Sequence, residues 1–411
     1  MKVGKTVGIV LLACVTAAAM LGVANVGADN ETAREAQEAL DPFYTPPDPL
    51  PAEPGTMLRM EPLGVDVPGA SAYRILYVSE RPDGTPAASG GMIFIPDSAA
   101  PPEGRPVVAW AHGTLGMGDA CVPSRAADPL HDTDNWLDQM MQLGYVVVGT
   151  DYVGLGTPGP SLYLVAQSEV RDVVNSVRAA RNIPEAKAGT RYVTWGHSQG
   201  GHSSVWTGHL GEEYAPELDL LGVSAAAPAL DLPGIMGAQW NTEVAWVIGP
   251  DVVESWPEYY PGVSTRDVLT PEAIDASPTL VDECIKQAAL EALVRQHVGQ
   301  RYFAADPESV TAWNDAIHDQ TPDPLPADMP VFIAQGTTDE VVLPWPNAII
   351  QEAWCAAGST ISVLWMGGIG HMAAATTSGP SAVAWIADRF AGRPAPRTCD
   401  VPPAVAPEQP A

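Results

Sequence analysis

The chain has 411 residues, enough for one large domain with an insertion or for two domains, and a hydrophobic fraction of 46% allows a sizeable buried core. Charged residues make up only 17%, and 41 prolines with 38 glycines indicate a loop-rich globular chain, not a fibrous or coiled one. With 20 basic against 49 acidic side chains, the surface repels phosphate backbones and anionic lipid; nucleic acid is excluded as a partner, and neutral substrates remain open.

At the amino end, Lys2 and Lys5 precede an uncharged, mostly apolar run from Thr6 to Ala28, and Val26-Gly27-Ala28 supplies the small side chains of a cleavage site. Residues 1–28 are therefore read as a secretory signal and the protein as extracellular. The alternative is an uncleaved anchor in the cell envelope, because the run is long enough to span a bilayer. Leu11-Leu12-Ala13-Cys14 is a loose lipobox, ranked last because the apolar run continues well past Cys14. Export leaves Cys121, Cys284, Cys355 and Cys399, an even number that predicts two disulfides with three pairings open. No CxxC occurs and no histidine stands at ligand spacing with these cysteines, so neither a metal nor another cofactor is expected.

Residues 29–56 are Pro-rich and polar, a surface arm. Tyr73–Val78 and Gly91–Ile95 flank the turn Arg81-Pro82-Asp83-Gly84 and predict an antiparallel hairpin. Short apolar runs at Val107–Ala111, Tyr145–Gly149, Arg191–Trp195, Leu220–Ala225, Val331–Ala334 and Ile361–Met366 read as strands. Helices are predicted from Ser168 to Arg181, where Val170, Val173, Val174 and Val177 recur at helical spacing, and from Gln199 to Glu213, Pro346 to Ala357 and Ala382 to Phe390. Strands alternating with helices mean a mostly parallel sheet covered on both faces, with the site at the strands' carboxyl ends. The alternation gives a core in two parts, 57–230 and 329–393. Between them, residues 231–328 hold Trp240, Trp246, Trp256, Tyr259, Tyr260 and one helical stretch, Thr279–Val298. This insertion is too long and apolar for a loop and is read as a cap over the site, in preference to a second domain with no role there. Residues 394–411 form a Pro-rich tail that Cys399 can tie down.

The sharpest motif is Gly196-His197-Ser198-Gln199-Gly200, set between a strand and a helix. Such a turn lifts the serine out of the backbone, and glycine two residues to either side avoids the clashes it would create. Ser198 is assigned as a nucleophile. It needs an imidazole base, itself oriented by a carboxylate, and the chain order in such folds is serine, acid, histidine. His371 follows the last strand in a glycine-rich turn and is assigned as the base. Asp339 follows the penultimate strand and is preferred to Glu340 as the acid. His202 and His209 ride on the helix after the serine as surface or packing residues, and His297 and His318 fall in the insertion. The oxyanion donors are assigned to the backbone N–H groups of Gln199 and Thr114, with Leu115 as the alternative to Thr114. His112 is expected to fix that loop, His197 to be a pocket wall, and Asp151 to be structural or substrate-lining. Asp251, Glu254 and Glu258 are read as a solvated face, not a metal site.

Several segments together resemble the secretory lipase family. They are Asp41-Pro42-Phe43-Tyr44, Ala111-His112-Gly113-Thr114 with Asp119-Ala120-Cys121, and Gly144-Tyr145-Val146-Val147 through Asp151-Tyr152. Gly196 to His202, Tyr214-Ala215-Pro216-Glu217-Leu218, Asp339 to Pro344 and Gly370-His371 complete the set. The resemblance runs from about residue 41 to 399. It implies an α/β-hydrolase fold with a lid formed by the insertion, a Ser198–His371–Asp339 triad, and metal-free hydrolysis of acylglycerols or simpler esters. It also implies the pairings Cys121 with Cys284 and Cys355 with Cys399. The His112-Gly113-Thr114 loop departs from the family's fungal lipase. The expected protein is a secreted carboxylic ester hydrolase acting on a small or lipid ester, with possible lipid contact through the cap and no obligate protein partner. An acyltransferase or peptidase using the same triad is the alternative.

Overall fold

The computed structural model describes residues 37–408, so the expected signal at 1–28 lies outside the described residues. Among the described residues nine strands form one sheet: β1 (Met57–Pro62), β2 (Ala70–Glu80), β3 (Pro86–Pro96), β4 (Arg105–Ala111), β5 (Val146–Thr150), β6 (Ala188–His197), β7 (Asp219–Ala226), β8 (Val331–Gly336) and β9 (Ile361–Met366). Their spatial order is β1-β2-β3-β5-β4-β6-β7-β8-β9. The first three strands meander antiparallel, β3 pairs antiparallel with β5, and every later pairing is parallel. The six predicted parallel strands are present within a few residues of their expected ends. β1 was not anticipated; its alternation of apolar and charged side chains in Met57-Leu58-Arg59-Met60-Glu61 is too short to separate from the Pro-rich arm.

After a one-turn α1 (Asp41–Tyr44), the helices are α2 (Leu137–Gln142), α3 (Ala166–Arg181), α4 (Gln199–Tyr214), α5 (Leu232–Gln239), α6 (Val244–Tyr259), α7 (Pro271–Leu280), α8 (Ile285–His297), α9 (Thr311–Asp319), α10 (Pro344–Ala357) and α11 (Ala374–Phe390). Two cores sit on opposite faces of the sheet. On one, Val170, Val173, Val174 and Val177 of α3 are buried against Val107, Ala109, Val146 and Val148. On the other, Trp110, Trp136 and Trp195 pack together, with ring centroids 4.8 Å, 5.8 Å and 6.5 Å apart. Burial of one face of each helix and both faces of the central strands is the dominant stabilising term.

Between β7 and β8 the chain makes five helices, α5 to α9, with their own core of Trp246, Trp256, Trp313, Tyr302 and Phe303. The expected helix Thr279–Val298 is corrected. α7 ends at Leu280 and α8 starts only at Ile285. The intervening turn is held instead by the strand-like contacts Met117 N–H to the Val281 carbonyl (3.2 Å) and Ile285 N–H to the Leu115 carbonyl (2.9 Å). The Cys121–Cys284 disulfide joins the same two segments, and Cys355–Cys399 fastens the tail to α10. Tail residue Thr398 also bonds to the edge of β9, through its N–H to Ile361 (3.0 Å) and its hydroxyl to the Val363 N–H (2.8 Å). The expected solvated face of Asp251, Glu254 and Glu258 is corrected for Asp251. Helical spacing in α6 turns Asp251 inward with Ser255, and burial raises its carboxyl well above the usual carboxylate range. Glu254 and Glu258 are exposed.

Trp195 is fully buried in the three-indole cluster. Trp195→Ala is expected to lower unfolding free energy by about 3–5 kcal/mol, read as a shift in the urea denaturation midpoint at unchanged slope.

Candidate active site

The turn between β6 and α4 has no room for a side chain at either flanking glycine. A Cβ at Gly196 would stand 2.0 Å from the Gly200 carbonyl oxygen, and one at Gly200 would stand 1.9 Å from the carbonyl oxygen of Ala111 on β4. This packing forces Ser198 to φ 54° and ψ −117°, a conformation that costs on the order of 1–3 kcal/mol for a side-chain-bearing residue and is held here by its surroundings. The Ser198 N–H is bonded to the Ala226 carbonyl on β7 (2.9 Å). Its hydroxyl is thereby presented at the carboxyl edge of the sheet, at the amino end of α4, where unpaired N–H groups and the helix dipole favour negative charge.

Ser198 Oγ lies 2.9 Å from His371 Nε2, and His371 Nδ1 lies 2.9 Å from Asp339 Oδ2. All three residues are buried. The second Asp339 oxygen accepts from the N–H groups of Val341 (3.0 Å) and Val342 (2.9 Å), and Oδ2 also accepts from Gln335 Nε2 (3.2 Å). Gln335 is fixed in turn by Asn347 Nδ2 (2.6 Å). Glu340 is exposed; its carboxylate lies near the His371 backbone N–H (3.5 Å), not the ring. His297 and His318 are exposed on α8 and α9.

His197 does more than line a wall. Its Nε2 donates to the His371 carbonyl (3.1 Å), and the two rings lie 4.8 Å apart. Burial, and then the neighbouring His371 ring, push the His197 imidazole down to about 4, so it stays neutral beside His371. Gly113 permits a close approach on the other side: a Cβ there would meet His197 Nδ1 at 3.0 Å and Ser198 Cβ at 3.3 Å. The His112 ring holds the same loop through the carbonyls of Gly113 (2.7 Å) and Asp151 (3.4 Å). The Thr114 hydroxyl is bonded to Tyr163 OH (2.7 Å).

Sequence reasoning missed Glu169. It lies in the first turn of α3, where an acidic residue reads as an ordinary helix start, yet it is buried directly behind the serine turn. Its carboxylate accepts from Leu164 N–H (2.9 Å), Gln199 Nε2 (2.7 Å), Ser203 Oγ (2.7 Å) and His202 Nδ1 (3.3 Å). His202, expected at the surface or in packing, is fully buried and also faces the Gln320 carbonyl (2.9 Å); His209 is half-buried against the Asp323 carbonyl.

Two cavities meet at Ser198. The first is walled by Leu164, Leu232, Ile235, Met236, Trp240 and Val252, among other apolar residues. The second contains His371, the 113–115 loop, Asp132 and the inward side of α8. Leu290, Leu293 and Val294 on α8 and Val298 just after it are exposed, and Met372 is exposed beside His371. Among the described residues, no group of three or more His, Cys, Asp or Glu side chains could hold a metal ion, and no helix is long and apolar enough to cross a membrane.

The sheet order, the strained serine between β6 and α4 and the helical insertion after β7 define an α/β-hydrolase. The chain belongs to the secretory lipase family, whose family model matches residues 132–398. It is 26% identical to a secreted triacylglycerol lipase of Malassezia furfur, over 88% of this chain and 77% of that one. It is also 26% identical to a probable inactive lipase of Mycobacterium tuberculosis, over 86% and 82%. Among solved structures, Candida antarctica lipase A in its closed state superposes with a TM-score of 0.71 at 18% identity, covering 89% of each chain. A rice cell wall degrading esterase from Xanthomonas oryzae gives 0.67 at 18% identity, covering 83% of this chain and all of that one.

Asp151 is structural. It is buried between the Ser124 N–H (3.1 Å) and the Ser124 hydroxyl, and desolvation raises its carboxyl to about 7. An unfolded aspartate titrates near about 3.9, so the folded state holds its proton longer. The resulting stabilisation is full below pH ~4 and is lost as pH rises to ~7. Asp151→Asn is expected to flatten this part of the curve, with the fall in Tm between pH 4.5 and 7.5 smaller than in the parent by roughly 2–4 °C in scanning calorimetry.

Proposed function

We propose that this chain is an exported carboxylic ester hydrolase of lipase type that works through an acyl-enzyme on Ser198. The observation that carries this reading is the hydrogen-bonded row from Asp339 through His371 to Ser198 at the junction of two cavities. Ser198 Oγ attacks the acyl carbon and passes its proton to His371 Nε2. Asp339, held by four donors, fixes the imidazole tautomer and balances the imidazolium. The oxyanion is bound by the Gln199 N–H at the start of α4 and by the Thr114 N–H, in a loop that Gly113 lets close on the serine. Collapse of the intermediate releases the alcohol with the proton from His371, and water then attacks the acyl-enzyme by the same route.

The apolar first cavity suits the acyl chain, with the insertion acting as a cap over it. The exposed leucines and valines of α8 beside the second cavity suit contact with an uncharged ester surface. Export is supported by the amino-terminal sequence, by the two disulfides and by the secreted relatives.

Ser198→Ala is expected to lower kcat on p-nitrophenyl esters by about 10⁴-fold or more and to abolish labelling by a fluorophosphonate. Parent protein that takes no label would instead liken it to the probable inactive lipase of Mycobacterium tuberculosis. Ile235→Trp, which projects bulk into the first cavity, is expected to shift the best p-nitrophenyl ester to a shorter acyl chain; an unchanged chain-length profile would exclude that cavity as the acyl site.

A further inference from the structure

The cavity that holds His371 does not end there. A third cavity, lined by Asp128, His131, Thr133, Lys286 and Gln287 among others, shares four wall residues with it: Leu115, Asp132, Ile285 and Met372. Asp132 is the one charged residue of the four. Its backbone is fixed by Trp136 Nε1, which donates to the Asp132 carbonyl (2.8 Å). One carboxylate oxygen accepts from His131 Nδ1 (2.7 Å). The other has no hydrogen-bond donor among the described residues, and the side chain keeps 21% of its surface exposed. A carboxylate oxygen in this position retains lone pairs for a donor brought by a ligand.

The chemistry of acyl transfer says which part of a substrate comes here. When the tetrahedral intermediate collapses, the bond from the acyl carbon to the alcohol oxygen breaks, the acyl group stays on Ser198 Oγ, and the proton on His371 Nε2 goes to the departing oxygen. The alcohol therefore leaves on the His371 side, and His371 lines the second cavity but not the apolar first one. Beyond the reacting centre its path runs past Asp132 into the third cavity. Asp128, Asp132, Glu243 and Glu340 line this route against the single ammonium of Lys286, an excess of negative charge that disfavours phosphate-bearing alcohols.

We propose that the second and third cavities form a leaving-alcohol branch that selects esters of polyols still carrying free hydroxyl groups, with Asp132 accepting a hydrogen bond from one of them. This inference rests on the ester-hydrolase reading of Ser198. A fully acylated glycerol offers Asp132 no hydroxyl, so the branch favours partially acylated polyols over triesters and over esters of simple alcohols.

The test holds the acyl group constant. With soluble 1-monobutyrin, tributyrin and ethyl butyrate, the parent enzyme is expected to show kcat/KM highest for monobutyrin, by about tenfold over ethyl butyrate, as one hydrogen bond to a charged group allows. Asp132→Asn is expected to cut that ratio at least about fivefold. Ala127→Trp narrows the third cavity from its exposed wall while leaving Asp132 and His131 in the chain and is expected to cut the ratio in the same direction, which keeps the test readable if Asp132→Asn does not fold. A parent ratio of one or less, a preference for tributyrin, or a ratio unchanged in the folded variants overturns the proposal. Turnover of none of the three esters, with no fluorophosphonate label on Ser198, defeats the ester-hydrolase reading itself and this inference with it, so the two failures are distinguishable.

Discussion

The site depends on one close approach of backbone to backbone. The carbonyl ends of β4 and the start of α4 come so near each other at Gly200 that no side chain fits between them. That contact fixes the serine turn against the strand whose continuation is the 112–115 loop, so the proposed nucleophile and the proposed oxyanion donors are set by a single packing event. The strain at Ser198 is the local cost, and the surrounding sheet over-determines it: β6 is held by β4 on one side and β7 on the other.

Behind this contact sits a buried carboxylate that braces the serine turn and the wall beside it. Glu169 gathers donors from the serine helix and from Leu164, whose positive φ of 51° places it in the wall of the apolar cavity. His202 and Gln320 extend the same network to the end of the insertion, and the Ala166 N–H closes it by donating to Gln320 Oε1 (2.8 Å). The cavity wall, the serine turn and the insertion are thus linked through one satisfied polar cluster in an apolar setting, where each bond counts for more than it would in water.

Strands with continuous apolar runs and a glycine-flanked serine were legible because their signals are local and their periods short. Helical ends were less so: α11 begins eight residues before its apolar stretch at Ala382, because Ala374–Ser381 carries no stripe of its own. The break at 281–284 was hidden because Ile285, Ala288 and Ala292 continue a helical period, while what stops the helix is a partner segment more than 160 positions away. Asp251 and Glu169 were misread or missed for one reason. Sequence position marks a carboxylate as charged, and only tertiary packing shows that it has been turned inward. Ser198, Asp339 and His371 could be proposed together only through the order and strand-end placement of their motifs; their distances are purely tertiary.

The bond between Cys121 and Cys284 has a mechanical consequence. It joins the segment just after the 112–117 loop to the middle of the insertion, and the hydrogen bonds from Met117 and Ile285 reinforce the same junction. The insertion is therefore tied covalently at three points, its two chain ends and this crosslink, and not held like a door on one hinge. Cleavage of the crosslink by a reductant would free a degree of freedom that the intact protein lacks.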